Sequence, residues 1–240
     1  MRNGSISWYN NCMFYVDAGG TGEYTEKKSR FIGELRKVTS PEEAALFLKE
    51  TRKAHSDARH HCSAWIIGAG REVKHSNDDG EPSGTAGRPI LSVLEGADLT
   101  DAALIVTRYF GGVLLGTGGL VRAYTEAAKA AIAASTLICP LPARMGVFVF
   151  DYAQWPLVQA LLSREQAFLL EADYGEQVAT RFVFYDGEDP EQIARAGRII
   201  AGLEAIMKRT DLASEFSPVR LAEAGSEVIV YDETAVRYSL

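Results

Sequence analysis

Apolar and polar positions in the first half of the chain predict strands interrupted by helices. Ser40, followed by Pro41 and by Glu43 three residues after the serine, is typical of a capped helix start. Continuous apolar runs at residues 62–67 and 102–106 indicate buried strands. The predicted elements are, in order, a strand-like stretch at 23–38, the helix after Ser40, strands at 62–67 and 72–75, a short helix at 90–94, a strand at 102–106 and a helix at 120–135. The last helix has a predicted buried stripe of Leu120, Tyr124, Ala127 and Ala131.

The pattern changes after residues 139–142, Cys-Pro-Leu-Pro, which are the best candidate for a linker. The predicted elements beyond it are a strand at 146–150, a helix at 157–164, strands at 167–173 and 178–185, a helix capped by Asp189 and a last strand at 228–231. That helix is expected to bury Ile193, Ala196, Ile200, Leu203 and Met207. The order β-α-β-β-α-β is that of a ferredoxin-like unit. The sequence therefore predicts an α+β protein with a variable tail (1–20), an amino-terminal domain (21–139) and a carboxy-terminal domain (143–232).

Composition is that of an ordinary globular protein, with 47% hydrophobic and 24% charged residues among 240. No apolar run is long enough to span a bilayer, and the first residues are too polar for a signal peptide. Three scattered cysteines argue against a disulfide framework and favour a reducing compartment. The expected location is the cytoplasm, without contact to a membrane.

The net charge of -7 is unevenly distributed along the chain. Residues 1–139 hold 16 Lys and Arg against 16 Asp and Glu, whereas residues 140–240 hold 9 against 16. Mild acidity argues against broad, nonspecific nucleic-acid binding. The neutral first half can nevertheless carry a local basic surface.

A polar, glycine-rich segment at residues 76–89 contains Asp78, Asp79 and Glu81. These carboxylates could bind a hard cation or act as acids and bases. A solvated turn explains the same composition, and the spacing of the oxygen ligands does not match a calcium loop.

A second glycine cluster at residues 108–119 precedes a helix, where backbone N–H groups could bind a phosphate. The sequence does not match a P-loop or a dinucleotide fingerprint, and close packing of the loop explains glycines equally well. Zinc at His55, His60, His61 and Cys62 is disfavoured because the usual paired ligands are absent, and a Cys62–His60 nucleophile lacks an oxyanion hole. No metal or cofactor is expected.

Several long segments, in this order, resemble the YigZ/IMPACT family. They are residues 26–32, His60 with Cys62, residues 78–87, residues 108–112 and residues 116–124. The second half resembles the small carboxy-terminal domain of bacterial, YigZ-type members, most clearly at residues 173–177. His61 stands where the family is expected to have a small polar residue.

The resemblance implies an amino-terminal domain like the second domain of small-subunit ribosomal protein five and domain IV of elongation factor G. It also implies a ferredoxin-like carboxy-terminal domain. Eukaryotic members of the family are translation regulators that act through protein partners, and no catalytic residue is transferred from the resemblance.

Two functional hypotheses follow. The first is a cytoplasmic, non-enzymatic protein linked to translation, which binds a ribosome-associated protein or RNA. The alternative is a hydrolase or phosphate-handling enzyme that uses Asp78, Asp79 and Glu81. The residues expected to form the binding surface are Asp78, Asp79, Glu81, Ser83, Thr85, Arg88, Arg108, Tyr109, Gly111, Gly112, Gly116, Gly118, Gly119 and Arg122.

Overall fold

The computed structural model describes residues 13–187, 189–210, 212–224, 227–231 and 237–239. The chain divides into two compact units, Met1–Cys139 and Pro140–Leu240, at the expected linker. The elements of the first unit are β1 (Tyr15–Ala18), β2 (Thr21–Glu26), β3 (Ser29–Lys37), α1 (Pro41–Ala54), β4 (His60–Ile67), β5 (Val73–Asn77), α2 (Gly87–Gly96), β6 (Ala102–Tyr109), α3 (Gly116–Ala133) and β7 (Thr136–Ile138).

The centre of the first unit is an antiparallel sheet with the strand order β2-β3-β6-β4-β5. Helices α2 and α3 pack on one face of this sheet, and α1 packs on the other. Strand β6 is buried on both faces because Leu104 and Val106 join the α2–α3 core while Ala103 and Ile105 contact the α1 side. This two-sided burial explains why its sequence is a continuous apolar run rather than an alternating one.

Helix α3 lies unusually close to β2 and β3 because two glycines face it. Gly22 and Gly33 are opposite each other in the β2–β3 ladder. A Cβ on Gly22 would lie 2.2 Å from the carbonyl carbon of Ala130, and one on Gly33 would lie 2.5 Å from the carbonyl oxygen of Ala127. Alanines on the helix and glycines on the strands therefore allow the two backbones to touch. The predicted stripe of α3 is confirmed, since all four of its residues are buried.

Helix α1 begins as the sequence predicted. The Ser40 hydroxyl accepts a hydrogen bond from the Glu43 N–H at 3.2 Å, and Pro41 opens the helix. The Glu43 carboxylate in turn accepts the N–H of Thr39 at 2.7 Å. These local bonds satisfy N–H groups that a helix start otherwise leaves unpaired.

Three expectations for the first unit need correction. Residues 15–18 of the supposed tail form β1, which pairs with β7, whereas residues 1–12 lie outside the described residues. The stretch 23–38 is a hairpin whose two-residue turn, Lys27-Lys28, has φ of 45° and 67°. Such a turn needs positive φ at both central positions, for which Asn-Gly is the usual sequence. Two lysines do not indicate this geometry, so the turn was not predicted. Helix α3 begins at Gly116 instead of residue 120, because its first turn contains the glycines.

The second unit contains β8 (Leu141–Phe150), α4 (Trp155–Arg164), β9 (Phe168–Tyr174), β10 (Val178–Tyr185), α5 (Pro190–Met207), a 3₁₀ helix (Leu212–Glu215), β11 (Ser217–Ala224), β12 (Glu227–Tyr231) and β13 (Arg237–Ser239). Its antiparallel sheet has the order β13-β12-β11-β8-β10-β9. The predicted β-α-β-β-α-β order is present in β8 to β11. Helices α4 and α5 cover one face of the sheet through an aromatic core that includes Phe148, Phe150 and Phe182.

The second unit also departs from expectation. The fourth strand of the β-α-β-β-α-β order is β11, which the sequence pattern did not predict, and the predicted last strand at 228–231 is the additional strand β12. Strand β13 (Arg237–Ser239) lies beyond residue 232, which was the expected end of the domain. On α5, Ala196 and Leu203 are buried as predicted, and Ile200 and Met207 pack partly buried against the same core. Ile193 is exposed, however, and Ile199 is buried instead.

The structure bears on two inferences from the sequence, one about membrane-spanning segments and one about the cysteines. None of the helices within the described part of the chain is both long and apolar enough to cross a membrane. Cys62 is a buried free thiol, whereas Cys139 is disulfide-bonded.

Candidate binding site at the loop end of the first unit

The two glycine-rich segments that the sequence singled out meet at one end of the first sheet, where Glu81 contacts Arg108. Strand pairing aligns Arg30 with Tyr109 and His60 with Arg108, so the β2–β3 turn, the start of β4 and the end of β6 lie side by side. We call this region the loop end. It consists of the turn 27–28, the loop 55–59, the acidic loop 78–86 and the glycine loop 110–115, which leads into α3.

Asp78 organises the acidic loop rather than facing solvent as a free acid. One carboxylate oxygen accepts the N–H groups of Ala86 and Gly87 at 3.0 and 2.8 Å, and the other accepts the Gly84 N–H at 2.8 Å. Burial alone would raise the pKa of Asp78, but these three backbone bonds lower it overall. The side chain thus caps the start of α2, whose first residue is also closely packed: a Cβ on Gly87 would lie 2.6 Å from the Asn77 nitrogen.

Asp79 connects the acidic loop to α1 and β4. Its carboxylate accepts from the Arg52 guanidinium at 2.6 Å and from the His61 N–H at 2.7 Å. Its carbonyl oxygen lies 2.9 Å from His60 Nδ1. The backbone at Asp79 is left-handed, with φ of 44°. The carboxylate and the carbonyl of this residue are therefore committed to the fold of the loop.

Glu81 forms a buried ion pair with Arg108, which joins the two glycine segments. Its Oε1 accepts from Arg108 at 2.6 Å and from the Tyr124 hydroxyl at 2.8 Å. The side chains of Glu81 and Arg108 are only 4% and 7% exposed. The guanidinium also lies 5.5 Å from the ring centre of Phe31 and 5.4 Å from that of Phe110. Burial raises the pKa of Tyr124, which keeps its proton available for this bond.

The placement of Arg108 and Thr85 corrects the expected binding surface. Arg108 is enclosed with its carboxylate partner and cannot offer its guanidinium to a phosphate without breaking that pair. Thr85 is buried, and its hydroxyl donates to the Pro82 carbonyl at 2.6 Å. Ser83, in contrast, is exposed as expected. Cys62 donates to the Asp78 carbonyl at 3.0 Å, and burial raises its pKa, so it is a core thiol and not a nucleophile.

A small polar cluster around Tyr109 was not predicted from the sequence. The Tyr109 hydroxyl lies 2.9 Å from His55 Nδ1 and donates to Asp57 at 3.2 Å. On the other side of the same imidazole ring, His55 Nε2 is 3.7 Å from a Glu34 oxygen. Glu34, His55 and Tyr109 come from three distant segments, so no local spacing links them. Within the described ranges, no group of three or more His, Cys, Asp or Glu side chains is arranged to hold a metal ion.

The glycines of the second segment serve different purposes. A Cβ on Gly111 would lie 2.1 Å from the Lys28 carbonyl carbon, and its N–H donates to the Ser29 hydroxyl at 3.1 Å. Gly112 and Gly116 have left-handed φ of 83° and 73°. Gly118 differs from all of these: its φ is not left-handed and a Cβ there would meet nothing within 4 Å. Gly119 is intermediate, with Leu115 Cβ 3.0 Å away.

The glycine loop exposes apolar side chains beside the lysine turn. Leu114 is 83% exposed, and Phe110 and Val113 are about half exposed. Because Gly111 packs on the Lys28–Ser29 peptide, the glycine loop adjoins the lysine turn. An exposed apolar loop beside cations is unusual for a surface that touches only water.

Several exposed cations in the loop end or on the helices that follow it have no carboxylate partner in the described part of the chain, in contrast to the carboxylates of the acidic loop. Among the residues whose positions are described, no carboxylate lies within ion-pair distance of the following exposed side chains: Lys27, Lys28, Arg59, Arg88 and Arg122. Arg88 and Arg122 lie on different sides of α3. Arg88 lines a groove between α2 and α3, whereas Arg122 is close enough to Tyr24 of β2 to affect its pKa.

The sequence of the chain was compared with those of known proteins, and it matches one family. Residues 27–132 match the model of the Impact N-terminal domain, a range that contains both glycine segments. The chain is 39% identical to the IMPACT family member YvyE of Bacillus subtilis over 165 residues, which cover 69% of this chain and 76% of that protein. It is 40% identical to YigZ of Escherichia coli over 157 residues, or 65% and 77% of the two chains.

The chain belongs to the YigZ/IMPACT family. A solved structure described as a hypothetical protein is 32% identical, covers 86% of this chain and 95% of its own, and superposes with a TM-score of 0.52. A protein described as the two-domain translational regulator Yih1 matches 56% of the chain at 22% identity, with a TM-score of 0.34. The eukaryotic relative IMPACT-A of Xenopus tropicalis is 31% identical over 97 residues. The family model, which spans residues 27–132, lies entirely within the first unit.

Proposed function

We propose that this member of the family is a non-enzymatic cytoplasmic protein linked to translation, and that its loop end binds RNA on the ribosome. The observation that carries the proposal is the imbalance of charge partners. The carboxylates of Asp78, Asp79 and Glu81 are each bound within the fold, whereas Lys27, Lys28 and Arg122 are exposed without a carboxylate partner among the described residues. Free cations beside open backbone suit a chain of phosphates.

The glycine loop supports the same proposal. A glycine in a helix destabilises it by up to about 1 kcal/mol relative to alanine. Gly118 brings no compensating contact and no left-handed φ. The absence of a side chain there leaves the start of α3 accessible, where no side chain caps the first N–H groups. A phosphate backbone could approach these donors closely, and Phe110 could stack on an unpaired base.

Family resemblance gives the biological context of the proposal. We propose that the first unit corresponds to the second domain of small-subunit ribosomal protein five and to domain IV of elongation factor G. We further propose that the second unit is a ferredoxin-like module of the same machinery. Its strands β11, β8, β10 and β9 are arranged in the order expected for such a module.

The alternative hydrolase would need at least one of the acidic-loop carboxylates to face a substrate. Asp78 is bound to three N–H groups, Asp79 to Arg52 and His61, and Glu81 to Arg108 and Tyr124. These partners assign the three acids to the folding of the loop. RNA binding is therefore better supported than hydrolysis, and a ribosomal protein is the remaining alternative partner.

Co-sedimentation with ribosomes over a range of salt concentrations tests the proposal. We expect Lys27→Ala/Lys28→Ala to weaken binding and to reduce the slope of log K against log salt by roughly 0.7–0.9 per lost phosphate contact. Lys49→Ala, which removes an exposed lysine of α1, is the matched control and should leave the slope unchanged. Binding that is weakened without a change in salt dependence would favour a protein partner. Unchanged binding in the double variant would exclude the loop end as the ribosome-binding surface.

A further inference from the structure

A cavity of about 760 Å³ lies in the first unit away from the lysine turn, as a groove between α2 and α3. Two stripes with helical spacing form its walls: Arg88, Ser92, Val93, Gly96 and Ala97 on or just after α2, and Val121, Thr125, Lys129, Ile132 and Ala133 on α3. Val93, Ala97 and Ile132 are half-buried and pack against the core beneath, so they form the floor of the groove. Arg88, Ser92 and Val121 are exposed on its walls.

The chemistry of the groove is apolar with positive charge on its walls. Val93, Val121 and Ile132 supply aliphatic surface. Arg88 and Lys129 are the charged lining residues, and no carboxylate lines the groove among the residues described. Lys129 forms an exposed ion pair with Glu126 at 3.1 Å. Exposed pairs of this kind contribute little to the free energy of unfolding. The groove therefore offers two cations to an acidic occupant.

The dimensions of the groove suit about three turns of a helix. The ten residues of α2 extend about 15 Å, and the thirteen residues from Val121 to Ala133 on α3 extend about 20 Å, at 1.5 Å per residue. Gly96, at the end of α2, does not have a left-handed φ, and a Cβ there would meet no atom within 4 Å. The absence of a side chain at Gly96 therefore keeps this end of the groove open.

We propose that this groove binds an acidic amphipathic helix of a partner protein, with aliphatic side chains on the floor and carboxylates paired with Arg88 and Lys129. Docking of an apolar helix face into a groove between helices is a common mode of peptide recognition. Charge complementarity selects the acidic helix over a basic one. The groove borders the acidic loop at Gly84, but its lining includes neither Lys27 nor Lys28, and its proposed occupant is a different class of macromolecule.

A displayed library of 14-residue helical peptides tests the proposal. The peptides carry leucines at positions 3, 6, 7 and 10, and each flanking position is randomised among Glu, Lys and Gln. Selection is performed on the full chain, and the most enriched peptide is synthesised for fluorescence anisotropy. We expect enrichment of Glu at the flanking positions. Enrichment of Lys or Gln, or failure to enrich any peptide, would overturn the proposal.

Variants of the full chain then locate the binding site of the selected peptide. Ser92→Trp fills the groove at an exposed position, and Arg88→Glu reverses one of its charges. Each should weaken peptide binding at least tenfold. The matched controls are Ala45→Trp and Lys49→Glu on α1, on the opposite face of the sheet, which should bind the peptide as the parent chain does.

Thermal melts establish whether each variant is folded. If Ser92→Trp does not fold, Val121→Glu replaces it. Retention of full affinity in both groove variants would place the peptide elsewhere and overturn the proposal. The RNA proposal stands apart from this result. Lys27→Ala/Lys28→Ala should bind the peptide normally, so that failure of the ribosome experiment and failure of the groove are separate outcomes.

Discussion

The acidic loop at 78–86 and the glycine loop at 110–115, with the start of α3, are both rich in glycine but have opposite relations to the rest of the fold. In the acidic loop, the polar groups bind one another and the neighbouring strands. In the glycine loop, Leu114 is largely open to solvent, and a Cβ on Gly118 would contact nothing. A polar, glycine-rich segment therefore indicates a site only when its groups remain without partners in the folded chain.

The largest expected effect comes from breaking the ion pair that joins the two regions. Arg108→Ala leaves the buried carboxylate of Glu81 without its cation, so we expect a loss of roughly 3–5 kcal/mol in the free energy of unfolding. Chemical denaturation measures this loss. Arg122→Ala, at an exposed arginine, is the control and should change stability by less than about 0.5 kcal/mol. A small effect of Arg108→Ala would mean that Arg108 is available to a ligand after all.

Gly111→Ala should have the next largest effect, because the new Cβ would lie 2.1 Å from the backbone of Lys28. We expect a destabilisation of up to about 3 kcal/mol from the displaced turn. Denaturation curves compare this variant with Gly118→Ala, which makes the same change at a glycine of α3. Equal destabilisation of the two variants would contradict the distinction between a packed and an open glycine.

Asp78→Asn tests the capping role of the acidic loop. Loss of the charged acceptor should cost about 1–2 kcal/mol at neutral pH, as for other helix caps. Because the folded-state pKa of Asp78 is lowered, its stabilising contribution is present above the unfolded pKa of about 3.9 and is lost as pH falls through the lower, folded value.

Denaturation at several pH values from about 2 to about 7 measures this dependence on the charge of Asp78. The loss of stability in acid should be smaller in Asp78→Asn than in the parent chain. An identical acid profile in both proteins would show that the three N–H bonds do not stabilise the charged form of Asp78.

Gly118→Ala has the smallest and opposite effect on stability. Alanine should raise the free energy of unfolding by about 0.5–1 kcal/mol, since it favours the helix and meets no atom. The same change should weaken ribosome binding if a phosphate backbone approaches this position. A more stable variant with undiminished ribosome binding would show that Gly118 is not part of the proposed surface. The lysine turn is tested separately by Lys27→Ala/Lys28→Ala.

Local features of the chain were readable from the sequence because they depend on neighbours along it. The Ser40 cap, the buried stripe of α3 and the strand at 178–185 need only the spacing of side chains within one element. The division of the chain near residue 140 follows from a change in that spacing. The Lys27-Lys28 turn was missed since its sequence lacks the residues that usually allow left-handed backbone.

The role of each polar residue was decided only by the tertiary structure. Arg88, Arg108 and Arg122 look alike in the sequence, yet one lines a groove, one is buried with Glu81 and one lies exposed beside β2. Folding brings Glu81 and Arg108, 27 positions apart, into contact. Burial then determines whether a charge is bound within the fold or free for a partner. Composition shows which chemical groups are present, whereas the three-dimensional packing determines which of them remain available.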